Sequence, residues 1–237
     1  MIKQHKFPTM IVDNFFETPT VIREYALSKE FSKNQAGNWP GYRTDPLHVI
    51  DREFYFTFAN KLFSHFIPIS SDFDFTLDAY FQYVDSSFDK GWVHCDTYVK
   101  YDFAGVVYLT PDPPENTGTA IYDVTEKTDQ YNKWDDITIL KMHYMSETCS
   151  QEERDKIMPM RDEYNSIFKV QDVCSNKFNR CLIFSASQQH SEQNFFGTTK
   201  FDSRLTLPFF GKINTHRLDY KYSFQHPPIL HYENHIL

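Results

Sequence analysis

GWVHCDTYVKYDFAGVVYLTP, residues Gly91 to Pro111, sets a histidine and a carboxylate two positions apart just ahead of an apolar run. In an extended chain residues i and i+2 face the same side, so His94 and Asp96 are placed to share one metal ion, with Cys95 turned to the opposite face. A lone His-x-Asp triplet is within chance for a chain with ten histidines. A second stretch, Asn179 to Lys212 (NRCLIFSASQQHSEQNFFGTTKFDSRLTLPFFGK), gives it weight: one strand-like run leads to His190 and another begins at Arg204. That adds a third donor and a fixed cation.

Two imidazoles and one carboxylate leave coordination positions open and suit a non-haem Fe(II) oxygenase site. A keto acid that chelates such a metal leaves a second carboxylate free, which a planar two-pronged cation grips best. Arg204 is the candidate, and Thr206, two residues on, puts a hydroxyl on the same strand face. Lys200 is the alternative. Arg204 is preferred because it opens the β-prone run RLTLPFF, whereas Lys200 follows the turn-like Gly197-Thr198-Thr199.

The chain resembles the 2-oxoglutarate and Fe(II)-dependent dioxygenases, and within them the prolyl 4-hydroxylase-like branch. The resemblance rests on His94-Cys95-Asp96, the following GVVYLTP, Gly118-Thr119-Ala120-Ile121-Tyr122, NRCLIF, His190 and Arg204-Leu205-Thr206, in that order over Leu77 to Lys212. It implies a mainly β fold with flanking helices, a double-stranded β-helix or jelly roll. It further implies that His94, Asp96 and His190 hold Fe(II), and that Arg204 and Thr206 hold 2-oxoglutarate with Tyr108 and Tyr83 close to it. O2 would be consumed, with ascorbate as a reductant. The expected substrate is a peptide side chain or a small molecule. A cupin-like or non-catalytic metal-binding barrel and a nucleobase demethylase are the competing readings.

The 237 residues carry a net charge of −8 and no basic run that could track a phosphate backbone, so bare duplex nucleic acid is an unfavoured partner. Mean hydropathy is −0.55, and no apolar run reaches the ~18 residues that span a bilayer. The N-terminal MIKQHKFPTMIVDNFF lacks a secretion signal. Cys95, Cys149, Cys174 and Cys181 lack paired spacing, which argues against a cysteine zinc site and for free thiols in a reducing cytoplasm.

A single domain over 1–237 is expected, with helical support to about residue 70, a β-core over 73–213 and a C-terminal extension over 214–237. Met10 to Phe16 reads as a short strand entering a turn, and a helix starts at Thr18-Pro19 and runs to about Phe31, with Val21, Tyr25 and Ser28 on one face and Ile22, Ala26 and Lys29 on the neighbouring one. In the loop from Asn34 to Leu47, Trp39, Tyr42 and Arg43 either line a substrate entrance or plug the core, with Arg43 bonded at the surface. A helix capped by Asp51 and reaching Phe66 carries Phe54, Phe58, Leu62 and Phe66 as core. Phe73 to Val84 alternates as one strand, and Gly118 to Tyr122 should return antiparallel after the turn Thr110 to Asn116. In the long insertion from Tyr122 to Asn179, a charged helix from Ser150 should break at Pro159 and act as a solvated lid or a buttress. His216, His226, His231 and His235 in the tail have no metal-site spacing; the tail should pack across the sheet or a neighbouring chain.

Overall fold

Period-two alternation sorts the core of this protein into two environments. Along the strand Arg204–Ile213, Leu205, Leu207 and Phe209 enter an apolar cluster, whereas Arg204, Thr206, Pro208 and Phe210 line a cavity on the other face. The computed structural model describes residues 7–33, 39–65, 73–96, 100–123, 135–213 and 229–233.

The chain opens with β1 (Thr9–Asp13) and α1 (Pro19–Leu27), then β2 (Ser32–Lys33), β3 (Tyr42–Arg43), α2 (Leu47–Ile50) and α3 (Arg52–Phe63). β4 (Phe75–Ala79), β5 (Gln82–Val84), β6 (Phe103–Tyr108) and β7 (Thr119–Asp123) follow, then α4 (Asp135–Met145) and α5 (Gln151–Asn165). β8 (Lys169–Cys174), β9 (Cys181–Ser185), β10 (Gln189–Glu192), β11 (Arg204–Ile213) and β12 (Ile229–Glu233) complete it. The larger sheet runs β12-β1-β9-β6-β11-β5-β3-β2, with β4 also on β11, and the smaller runs β10-β7-β8. β1 and β9 are buried along their whole length because both faces of the large sheet are covered there, so Met10–Val12 and Cys181–Phe184 are apolar without alternation.

α1 and α3 cover the outer face of the large sheet. Phe58 and Leu62 of α3 are fully buried with Leu205, Leu207 and Phe209, and the rings of Phe58 and Phe209 meet at 5.6 Å. Each such side chain contributes roughly 1.5–3 kcal/mol by leaving water. Asp51 caps α3 as expected, its carboxylate accepting the Phe54 amide at 2.8 Å. Phe66 lies outside the described residues. α1 ends at Leu27, and its inner stripe is Ile22, Tyr25 and Ala26, while Val21 is 58% exposed.

Three expectations need correction. The stretch over Phe73 to Val84 is two strands, and the cause sits on the neighbour: the Pro208 carbonyl of β11 accepts the Tyr80 amide at 3.1 Å, so its missing N–H faces the same gap between β4 and β5. β7 does not return beside β6. It crosses to the smaller sheet and pairs with β10 and β8. α5 is unbroken at Pro159, because Arg154 and Ile157 before the proline and Arg161 after it are all buried. Tertiary burial on both sides outweighs the ~3 kcal/mol that an interior proline costs.

The part of the tail that is described, β12, pairs in parallel with β1 at the edge of the large sheet and carries an exposed His231. His216, His226 and His235 lie outside the described residues. No described helix is long and apolar enough to cross a membrane. Cys149, Cys174 and Cys181 are buried free thiols.

Candidate active site

The smaller sheet gains a partial fourth strand from the segment that carries the His-x-Asp pair. His94 and His190 exchange both backbone hydrogen bonds, at 2.9 and 2.8 Å, so they sit directly opposite each other with side chains on one face. Their ring centroids are 4.4 Å apart. Close approach explains Gly91: a Cβ there would stand 2.3 Å from the Glu192 carboxylate and 2.9 Å from its backbone nitrogen. His94 is an isolated bridge and not part of a regular strand.

Each imidazole donates Nδ1–H to the carbonyl two residues before it, His94 to Trp92 at 2.8 Å and His190 to Gln188 at 3.0 Å. A carbonyl only accepts, so both Nε2 atoms keep a free lone pair. They point at one carboxylate, His94 Nε2 lying 3.9 Å from Asp96 Oδ1 and His190 Nε2 lying 3.7 Å from Asp96 Oδ2. Asp96 Oδ2 is buried with no hydrogen-bond partner, an arrangement that native proteins rarely leave unfilled. Burial pushes the His94 pKa well down and the Asp96 pKa up. Burial thus keeps His94 neutral, as a metal ligand must be, and a divalent cation would offset the cost of ionising Asp96; the donor set fits one from the first transition row. His94, Asp96 and His190 are thus brought together.

The three donors open into a cavity of about 540 Å3. Arg204 and Thr206 line it, as alternation on β11 requires. Arg204 is 4% exposed. Its Nε donates to the Thr117 carbonyl at 3.1 Å and one terminal nitrogen lies 3.5 Å from Thr119 Oγ1. The Gly118-Thr119 segment therefore holds the guanidinium. Tyr108 packs 5.4 Å beneath it and shares a 2.7 Å hydrogen bond with Thr119 Oγ1, and burial raises the phenol's pKa. Lys200, the alternative cation, is elsewhere, donating to the Leu27 carbonyl at the end of α1 at 2.7 Å.

Tyr83 falls on the wrong face and is corrected. It pairs with Leu205, stacks on Tyr42 at 4.5 Å and meets Phe31 at 5.1 Å, all on the helix-covered side. One residue of register separates the two faces, and the cavity position belongs to Gln82, opposite Thr206. Cys95, expected to turn away, also contributes to the lining.

Three further cavity residues, Gln82, Lys141 and Glu192, carry no assignment from sequence, and Arg43 follows the entrance-lining alternative. Gln82 accepts from Arg43 Nε at 3.0 Å and donates to the Pro40 carbonyl at 2.7 Å. Arg43 faces the cavity, with its guanidinium 4.6 Å from the Trp39 ring; Tyr42 does not. Lys141 of α4 and Glu192 of β10 also line it. The only sequence signal was the Gly- and Pro-punctuated loop carrying Trp39 and Arg43. α5 is a buttress: Asn165 donates to the Gly91 carbonyl and accepts from the Val93 amide, both at 2.9 Å, bracing the backbone that presents His94.

A second set of donor atoms, on His143, Cys149 and Glu153, falls within 4.8 Å. Its contacts are accounted for without an ion. Glu153 closes the capping box with Ser150 at 2.8 Å and faces His143 at 3.6 Å, while the Cys149 thiol lies 3.7 Å from the Ser150 carbonyl.

The fold has solved counterparts. HygX from Streptomyces hygroscopicus, with nickel and 2-oxoglutarate bound, superposes with a TM-score of 0.53 at 11% identity, over 87% of this chain and 84% of that one. With hygromycin B also bound, it does so with a TM-score of 0.53 at 8% identity, over 97% and 93%. An oxidoreductase of the 2OG-Fe(II) oxygenase family from Burkholderia pseudomallei gives a TM-score of 0.49 at 9% identity, over 86% and 84%. No curated protein matches the chain by sequence. A family profile does, over residues 1–210, and the chain belongs to that family, DUF6445, described as a family of unknown function.

Proposed function

We propose that this protein is an Fe(II)- and 2-oxoglutarate-dependent oxygenase, built as a double-stranded β-helix, that hydroxylates a peptide side chain or a small molecule. The observation that carries the reading is Asp96 Oδ2, buried and unpartnered, facing two Nε2 lone pairs in a cavity that also holds Arg204. His94, Asp96 and His190 hold the metal. Arg204, oriented by the Thr117 carbonyl and Thr119, takes the far carboxylate of 2-oxoglutarate, and Thr206 adds a hydroxyl beside it. When bound, Fe(II) supplies oxygen activation: 2-oxoglutarate leaves as succinate and carbon dioxide, one oxygen atom of O2 enters succinate and the other a substrate C–H bond. The chain's tasks are orientation and exclusion of water, for which the apolar walls of Val106, Phe184 and Phe195 are suited. The free thiols favour a reducing compartment, and we place the protein in the cytoplasm.

Anaerobic titration with Fe(II) and then 2-oxoglutarate tests this through the visible charge-transfer band. Wild type should develop the band. His190→Ala should abolish it, and Arg204→Ala should require far more 2-oxoglutarate. Iron binding with no band at any 2-oxoglutarate concentration would replace the oxygenase with a cupin-like or non-catalytic metal barrel.

A further inference from the structure

Five cationic side chains line the cavity. Lys90 is paired with Asp162 at 3.1 Å and Lys100 with Asp78 at 3.0 Å. Arg204 is the residue assigned above to 2-oxoglutarate. Arg43 and Lys141 remain, and among the described residues neither has a carboxylate within ion-pair distance.

The setting of Arg43 is specific. Only its Nε has a hydrogen-bond partner among the described residues, Gln82, which is itself fixed by the Pro40 carbonyl. Trp39, Tyr80 and Phe210 surround the guanidinium at 4.6, 5.3 and 5.7 Å, so the aromatic rings and the Nε bond together set its plane. The two terminal nitrogens are left as a fork. Burial without a counter-ion pushes its pKa down to about 10. Lys141 reaches the same cavity from α4, and burial lowers its pKa too, against the opposing pull of Glu192, Asp96 and Cys95. Both side chains are half-buried, and two cations converging on one cavity without a counter-ion among the described residues favour an anion that completes them.

We propose that Arg43 and Lys141 form an anion subsite, and that the substrate presents a carboxylate to it. This rests on the oxygenase reading for what the bound molecule undergoes, though not for the binding itself. Formal charge selects the anion. Arg43, Lys141 and Arg204 face Asp96 and Glu192, and once Fe(II) and the 2-oxoglutarate dianion are in place one positive charge is left over. A carboxylate balances it. A phosphate monoester, at about −1.5 to −2, overshoots.

Trp39, against the Arg43 guanidinium, supplies the readout. Tryptophan fluorescence is followed during titration with 3-phenylpropionate and its amide, with an acetylated and amidated tripeptide containing glutamate and its glutamine counterpart, and with inorganic phosphate. Each is run on protein loaded anaerobically with Fe(II) and 2-oxoglutarate and on metal-free protein. An acid should bind about tenfold or more tightly than its amide, as for charge-assisted contacts. Arg43→Gln and Lys141→Gln should each bring that ratio close to one, and Arg43→Lys should restore part of it. Preference for the glutamyl peptide or for the free acid supports the subsite either way and identifies the carboxylate's source. Equal binding of acids and amides in wild type, a ratio unchanged in both variants, or phosphate binding tighter than either acid overturns the proposal. Failure of the oxygenase reading is distinguishable: there the charge-transfer band is missing while the acid preference persists in metal-free protein.

Discussion

Beneath α5, Arg161 is fully buried and every part of its head is engaged: Asp89 at 2.5 Å, Asp162 at 2.9 Å, the Lys90 carbonyl and the Tyr144 hydroxyl at 3.1 Å. Arg154 beside it donates to the carbonyls of Tyr144 and Ser146. Across the cavity, the buried Arg204 and the half-buried Arg43 keep terminal donors to spare among the described residues. Arg161 joins α5 to the segment ahead of His94 and Arg154 joins it to the end of α4, whereas Arg204 and Arg43 face the cavity beside His94, Asp96 and His190. Satisfaction separates the two roles: a buried cation whose hydrogen bonds all end on the protein is structural, and one left incomplete is reserved for a ligand.

That contrast is broken most directly at Arg161. Arg161→Met should lower the unfolding free energy by roughly 2–4 kcal/mol in urea titrations, since several charge-assisted bonds are lost at once. A change no larger than that of an exposed substitution would remove the distinction. Asp13 with Arg180 and Lys177 is an intermediate case, a paired site at the end of β1. The Arg180 hydrogen bond, helped by Lys177, lowers the Asp13 pKa from 3.8 to about 2. The folded-state value lies below the unfolded one, so the contribution is complete above about pH 4 and is lost as pH falls toward 2. Asp13→Asn should cost about 1 kcal/mol at neutral pH, discounted for the solvent-facing lysine, and the difference from wild type should shrink in acid.

Arg204→Met sharpens the comparison from the other side. Unfolding free energy should shift by less than about 1 kcal/mol in either direction, because removal of an incompletely bonded charge offsets the lost Thr117 contact. Its 2-oxoglutarate affinity should fall about 100-fold, read from the charge-transfer titration. A loss of stability as large as that of Arg161→Met would make Arg204 structural as well. Lys156→Ala, which removes the exposed partner of Glu152 on α5, should leave the urea midpoint unchanged within error.

The aromatic residues obey the same logic of faces. The resemblance sets Tyr83, one strand ahead of the His-x-Asp pair, near the cosubstrate, but parity assigns it to the helix-covered side with Leu205 and gives the cavity to Gln82. Parity was available in the sequence once β11 was known to pair with β5. The pairing was not, because strands 120 residues apart carry no mutual register in their composition.

From the sequence alone came the donor types, the alternation along RLTLPFF, the Asp51 cap and the predominance of strands, since each depends on residues within a few positions of one another. Tertiary structure decided the rest. It set His94 opposite His190, carried β7 to the second sheet, kept α5 whole through Pro159, and brought Arg43, Gln82 and Lys141 to one cavity. These are long-range choices among burial, backbone pairing and charge compensation, and local sequence does not encode their balance.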